Sequence, residues 1–304
     1  MPTRVAIVGE GDVNRGALAA RAALEARGHS VVLNDTTGAD VVLAASDAAL
    51  LRLAADPPPP PTRLAFPPDA VARVLDKPTL AEHAARIGIP TPRTLPDDYT
   101  GRAVVKARSH STAERQEAIV TDDPQAARKQ IRNAFLQEAI DGPLTALTVV
   151  TAPDGTRLGH VFQRAVHVWP QPAGVSCRAV TEPADPALTD NVHRLLAELG
   201  WWGVAQAQFL DGRLIDLNPR LYGSLALAIA AGVDVPNLLV ADAPTPVGEG
   251  RPGVRYQWLE GDLRYGGLRN APKTLAYARG AVAAVPHARA ALDVAKRAIR
   301  KVAR

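Results

Sequence analysis

The residues with the most chemical content fall within Ala205–Ser224, AQAQFLDGRLIDLNPRLYGS. Two strand-like runs flank a turn at Asp211-Gly212 and place Gln208, Asp216 and Asn218 where all three can point at one cation. Asp216 and Asn218 stand at i and i+2 of a strand and therefore share a face. A carboxylate, two amide oxygens and the following Arg220 suit a Mg²⁺ ion that also holds nucleotide phosphates. A site of this kind needs cations for phosphate and backbone for a base.

Lys106 closes the run Ala103–Lys106, AVVK, beside a polar loop over Ser109–Glu117. A lysine at such a strand end can hold phosphate oxygens as a point charge. Taken alone, it reads equally well as a surface lysine with a snorkelling stem. Lys77 falls in the first turn of an expected helix, where an isolated lysine is ordinarily solvated. Gln137–Gly142, QEAIDG, is a strand running into a turn. Its backbone could pair with an adenine edge, and Glu138 or Asp141 could accept from N6 or ribose hydroxyls. By itself it is an ordinary strand end with a type I turn. Cys177 is the single cysteine, which rules out a disulfide within the chain and a cysteine zinc cluster. With no histidine partner in a suitable motif, it reads as an inert thiol.

The elements that must position these groups begin with a strand over Arg4–Val8, a Gly9-Glu10-Gly11 turn and a helix over 14–27. Strands over Ser30–Leu33 and Asp40–Ala44 follow, the opening of a parallel α/β unit. Asn14 stands where the third glycine of GxGxxG belongs and Gly16 comes two places late, which argues against a dinucleotide site and a dehydrogenase. The run Pro57–Pro61 excludes regular structure. Arg63–Phe66 reads as a last strand and Pro67-Pro68 as a helix start. Asp76-Lys77 opens a second unit, with a helix to Arg86 and strands over 103–106 and 119–121. A helix over 124–134 and a strand over 135–140 complete that unit. Asp154-Gly155 marks a hairpin between 144–151 and 158–168. Helices are expected over 185–199 and 221–231 and after Pro272, and Trp258, Glu260 and Asp262 are assigned to a final strand.

The chain of 304 residues carries a net charge of +4 and an apolar fraction of 47%. From Lys273 to Arg304, eight Lys or Arg oppose the single Asp293, leaving the rest of the chain slightly acidic. That body is not a nucleic-acid binder. The tail reads as a solvated basic helix or as a docking surface for an acidic partner. No apolar run approaches bilayer length, and the N-terminus has no secretory h-region, so the expected location is cytoplasmic.

Together, Lys77 with the following Gly-Ile-Pro-Thr-Pro, the Val-Val-Lys strand, the Gln-Glu strand end and LIDLNPRLYGS over Leu214–Ser224 resemble the ATP-grasp superfamily, in particular its carboxylate–amine ligases. The resemblance spans Arg4–Pro236. It implies a mixed α/β and α+β architecture with a Rossmann-like parallel-sheet domain over 1–75 and a small subdomain over 76–136. A metal- and substrate-binding subdomain over 137–252 follows, then a closing strand and basic helical tail over 253–304. By position it gives Lys77 and Lys106 the phosphates, Gln137, Glu138, Ala139 and Ile140 the adenine, and Asp141 the ribose. Gln208, Asp216 and Asn218 become the metal ligands, Arg220 faces the transferred phosphoryl group, and Arg164 is the substrate-side arginine. Asp216 stands where Glu is usual, Gln208 replaces a more frequent Glu, and Leu144 replaces a ribose-binding acid.

The implied activity joins a small carboxylate and an amine, amino acids or a peptide among the candidates, through an acyl phosphate. ATP is consumed with Mg²⁺ or Mn²⁺, and a homodimer is common in the superfamily. The alternative is a non-catalytic ATP-binding module with a basic docking tail. Arg178, Trp169, Trp201 and Trp202 are further candidates for a substrate pocket, with Pro170–Gly174 shaping the acceptor side and 109–117 closing over the phosphates.

Overall fold

A computed structural model describes residues 2–9, 14–109 and 118–283. Glu10 and Gly11 of the first turn, most of the loop expected to close over phosphates, and the tail beyond 283 lie outside these residues.

The chain opens with β1 (Arg4–Val8), α1 (Arg15–Ala26), β2 (Ser30–Leu33), β3 (Val41–Ala44), α2 (Asp47–Ala55) and β4 (Arg63–Leu64). The four strands form a parallel sheet in the order β2-β1-β3-β4. Both helices start on a side-chain cap: Asn14 accepts from the Ala17 N–H at 3.1 Å, and Ser46 from the Ala49 N–H at 3.1 Å. Alternation buries both faces of this sheet, as parallel sheets require. Ala6, Val8 and Val42 pack with α2 and later helices, while Val5, Ile7 and Leu43 pack with α1.

After α3 (Val71–Leu75) and α4 (Lys77–Arg86) come β5 (Thr94–Leu95), β6 (Ala103–Ala107), β7 (Ile119–Thr121), α5 (Pro124–Arg128) and β8 (Ala134–Glu138). These strands form a small antiparallel sheet, β5-β8-β6-β7, with its own core of Val105, Ala107, Ala127, Ile131 and Leu136. The helix expected to reach 134 stops at Arg128, because Ile131 turns into that core and Asn133 adopts φ +47°. Asparagine tolerates that left-handed conformation. Since β8 belongs to the small sheet, the expected division between 136 and 137 falls inside a strand.

The rest builds one large antiparallel sheet from β9 (Leu144–Thr151), β10 (Arg157–Trp169), β11 (Val175–Glu182), α6 (Pro186–Glu198), β12 (Gly203–Leu210) and β13 (Arg213–Asn218), with α6 packed on β9. α7 (Leu225–Ala230), α8 (Val235–Val240), β14 (Gly248–Glu249), β15 (Arg255–Gln257), α9 (Leu259–Gly266) and α10 (Ala271–Ala278) complete the described chain. The order is β13-β12-β9-β10-β11-β15, with β14 beside β10. Asp211 and Gly212 both take positive φ, +49° and +71°, the two-residue turn that matches strand twist. One face of the sheet, including Leu147, Val149, Ala205, Ala207 and Phe209, is buried core. The opposite face carries Gln206, Gln208, Asp216 and Asn218.

Two expectations at the C-terminal side change. The helix expected from 221 begins at Leu225, because Leu221 donates its N–H to the Ala44 carbonyl at 3.0 Å and carries the chain past the end of β3. The final strand is Arg255–Gln257, whereas Glu260 and Asp262 lie in the first turn of α9. Acidic residues are favoured at that end of a helix. No described helix is long and apolar enough to cross a membrane.

Candidate active site

A cleft of about 1020 Å³ is lined by residues of the two antiparallel sheets and of the segments that follow β1 and β3. The wall formed by β12 and β13 follows from antiparallel register. Gln208 stands directly opposite Asp216 and Gln206 opposite Asn218, so the expected oxygen donors meet on one face. Lys77, the first residue of α4, enters from the side once Asp76 has capped the helix by accepting from the Thr79 N–H at 2.9 Å. Its ammonium lies 2.5 Å from Asp216 Oδ1. Lys106, from β6 of the small sheet, donates to the Ile215 carbonyl at 2.9 Å. Neither lysine is the solvated surface side chain it would have been in isolation. Burial pushes the Lys106 ammonium down to about 8, against the attraction of Asp216 and with the repulsion of Lys77. Arg220 donates to Asp47 Oδ1 at 2.6 Å and to Asn218 Oδ1 at 2.9 Å.

The donor set suits a hard cation: one carboxylate and two amide oxygens. Two of the three donors already receive hydrogen bonds from cationic side chains. Among the described residues no cluster of three His, Cys, Asp or Glu side chains could hold a metal by itself. A cation here would therefore take much of its coordination from phosphate oxygens.

The strand end Gln137–Asp141 lines the cleft through Gln137, Glu138, Ile140 and Asp141; Ala139 is not among the lining residues. Glu138 is spoken for. Its carboxylate accepts from the Arg93 backbone N–H at 3.3 Å and Arg93 Nε at 3.2 Å, and lies 3.4 Å from Arg213 Nη1. Asp141 makes a two-pronged pair with Arg102, at 2.7 and 2.9 Å, which holds its carboxyl below the usual range. Leu144, which replaces the superfamily's ribose-binding acid, lines the cleft.

Arg164 is not at the site. Its neighbours Gln163 and Ala165 line the cleft, and a strand's period of two turns Arg164 to the other face, where Nε pairs with Glu182 at 2.7 Å. Arg178 pairs instead with buried Asp262. Trp201 is buried and stacks on Phe66, while Trp169 and Trp202 are not among the lining residues. The loop at Gln171–Gly174 does line the cleft. Burial of Cys177 pushes its thiol up to about 12, so it is no nucleophile.

Sequence reading missed a neutral polar network on the floor. Ser224 Oγ donates to Gln163 Oε1 at 3.0 Å, Gln206 Nε2 reaches Ser224 Oγ at 3.5 Å, and Thr148 Oγ1 donates to the Tyr222 hydroxyl at 2.8 Å. The alternation AQAQ placed Gln206 on the same face as Gln208, a signal that was available. Asn14 and Ser46, which cap α1 and α2, and Arg15, the first residue of α1, also line the cleft.

No protein-family model matches the sequence, and no curated protein matches it significantly. Solved structures do match. A carboxyaminoimidazole ribonucleotide synthetase bound to ADP superposes with a TM-score of 0.61 at 13% identity, over 84% of this chain and 81% of that one. The chain has the ATP-grasp fold. An L-amino acid ligase from Bacillus licheniformis gives 0.59 at 14% identity, covering 83% of this chain and 78% of its own. A D-alanine–D-alanine ligase from Bacillus anthracis gives 0.55 at 13%, covering 78% and 96%. At such identities the likeness establishes the ATP-grasp fold, and the chemistry has to be argued from the site.

Proposed function

We propose that the chain is an ATP-dependent carboxylate–amine ligase, forming an amide or peptide bond and releasing ADP and phosphate. The observation that carries this reading is the convergence of Lys77, Lys106 and Arg220 with the oxygens of Gln208, Asp216 and Asn218 in one cleft. A carboxylate is a poor electrophile toward an amine at neutral pH. Transfer of the γ-phosphoryl group to it breaks the bond to the β-phosphate oxygen and gives an acyl phosphate. The amine then adds to the acyl carbon, phosphate leaves, and the amine's surplus proton passes to water.

Catalysis of phosphoryl transfer is mainly positioning and electrostatic stabilisation. Lys77 and Lys106 would hold phosphate oxygens as point charges, and Arg220, oriented by Asp47 and Asn218, would offer its fork to the migrating group. Mg²⁺ or Mn²⁺, held by Gln208, Asp216 and Asn218, would screen the approach of two anions. The backbone at 137–140 would receive the adenine, with Asp141 beside the ribose. The neutral Gln163–Ser224–Gln206 network would orient the substrates through hydrogen bonds without adding charge. Two of the similar structures are amino-acid ligases, so amino acids and small peptides are the first substrates to try. An ATP-consuming reaction and an unpaired thiol fit a cytoplasmic setting.

Incubation with Mg·ATP and pooled L-amino acids should give amine-dependent ADP release and an amide product detectable by mass. Asp216→Ala and Asn218→Ala should each lower turnover by about 100-fold or more while the melting temperature holds. Amide formation undiminished in Asp216→Ala would sink the proposal. A second reading, a non-catalytic ATP-binding module, is favoured by the Lys77–Asp216 and Arg220–Asn218 contacts, which give the donor oxygens partners inside the protein. It predicts stabilisation by ATP with no ADP release in the same assay.

A further inference from the structure

The end of the cleft away from the nucleotide strand carries a cation that the reaction above does not use. Arg15 opens α1 and lines the cleft. Its guanidinium carbon lies 3.9 Å from the ring centroid of Trp258, so the plane is braced by an aromatic face. It also acts on the buried Tyr256 phenol beneath it, through its charge and a side-chain hydrogen bond. Arg15 Nε is buried and has no hydrogen-bond acceptor. Among the described residues Arg220 pairs with Asp47, whereas no carboxylate pairs with Arg15.

The surroundings sharpen the contrast. Among the described residues the acidic side chains lining the cleft are Glu138, Asp141 and Asp216, on the strand end at 138–141 and on β13. Arg15 lies instead where the N-terminal sheet reverses its order: β1 runs through α1 to β2 on one side, and β3 lies on the other. The crevice outside the carboxyl ends of parallel strands, at such a reversal, is where open α/β sheets bind ligands. Asn14 spans it, its side-chain N–H donating to the Ala45 carbonyl beyond β3 at 2.5 Å.

Resting on the ligase reading, we infer that Arg15 anchors an anionic group of the substrate distinct from the carboxylate that is activated. The substrate bound opposite the nucleotide is then an acid or amine bearing a second carboxylate or a phosphate. A guanidinium fork matches either group with two charge-assisted hydrogen bonds, made from the part of Arg15 that lines the cleft. Trp258 restrains the fork before the anion arrives, which lowers the entropic cost of binding.

The test is a thermal-shift titration of the full chain, saturated with Mg²⁺ and a nonhydrolysable ATP analogue so that the phosphate-binding cations are occupied. The probes are succinate, inorganic phosphate and neutral succinamide. Succinate or phosphate should raise the midpoint further and succinamide should not; whichever anion acts identifies the class. Arg15→Gln should weaken that anion's effect by about tenfold or more and leave the nucleotide's own shift unchanged. Arg15→Lys keeps the charge without the fork, should fall between the two, and serves if Arg15→Gln does not fold. An equal anion shift in wild type and Arg15→Gln, or none in wild type, overturns the inference. Loss of the nucleotide shift itself would count against the ligase reading instead, and the Arg15 comparison would then be made without nucleotide.

Discussion

Lys106 shows how a single side chain ties the two sides of the site together. It rises from the small sheet, bonds a carbonyl of the metal strand, and is buried enough to bring its pKa to about 8. Its charge is therefore complete below that pH and is lost as pH rises through it. Nitrogen NMR of the Lys106 ammonium should show a titration near 8 in the protein alone, moved lower in Asp216→Ala, where an attracting carboxylate is gone, and higher when ATP is bound. A titration near the ordinary lysine value would show that the side chain is hydrated. That Gln208, Asp216 and Asn218 share a face was legible in the sequence, because a carboxylate and an amide two places apart need only a strand to bring them together. Arg164 was not, because which alternate set of β10 residues faces the cleft is set by its pairing with β9 and β11, which the sequence does not display. Arg15 carried no signal of its own, standing one place past the position where a glycine pattern breaks. Its partner Trp258 lies at the far end of the sequence, so nothing local signalled the contact.

At the scale of elements, the site depends on how closely α1 approaches the segment that follows β13. A Cβ on Gly16 would lie 2.6 Å from the Tyr222 carbonyl oxygen and 2.9 Å from its nitrogen, both backbone atoms that cannot rotate away. Glycine at 16 is thus a contact requirement rather than a displaced member of a dinucleotide fingerprint. Gly16→Ala should cost about 1–3 kcal/mol in a melting experiment and should raise KM for the substrate more than KM for ATP, since the displaced helix carries Arg15. Unchanged melting would show that the helix has room to shift. Most strands and helices were readable from periodicity and turn residues. The failures came where tertiary contacts overrode local pattern: Ile131 turning into a core, Leu221 diverted to a carbonyl of β3, and Asp262 drawn from an expected strand into a helix that packs on β11.

In the whole molecule, the small sheet has a core of its own and meets the remainder chiefly through polar contacts across the cleft. Nucleotide bound between the sheets should therefore slow amide hydrogen exchange in 94–138 more than in the N-terminal sheet; uniform slowing would point to global stabilisation instead. The two chain segments that join the small sheet to the body run side by side. Glu138 donates its N–H to the Arg93 carbonyl at 2.9 Å and takes two hydrogen bonds from Arg93 in return, while the Leu214 N–H holds the Pro90 carbonyl at 2.7 Å. A door hung on two neighbouring pins swings about one axis and resists sliding. Glu138, expected to touch adenine, instead clasps those two segments together, so that any turning of the small sheet against the body would pivot at that clasp.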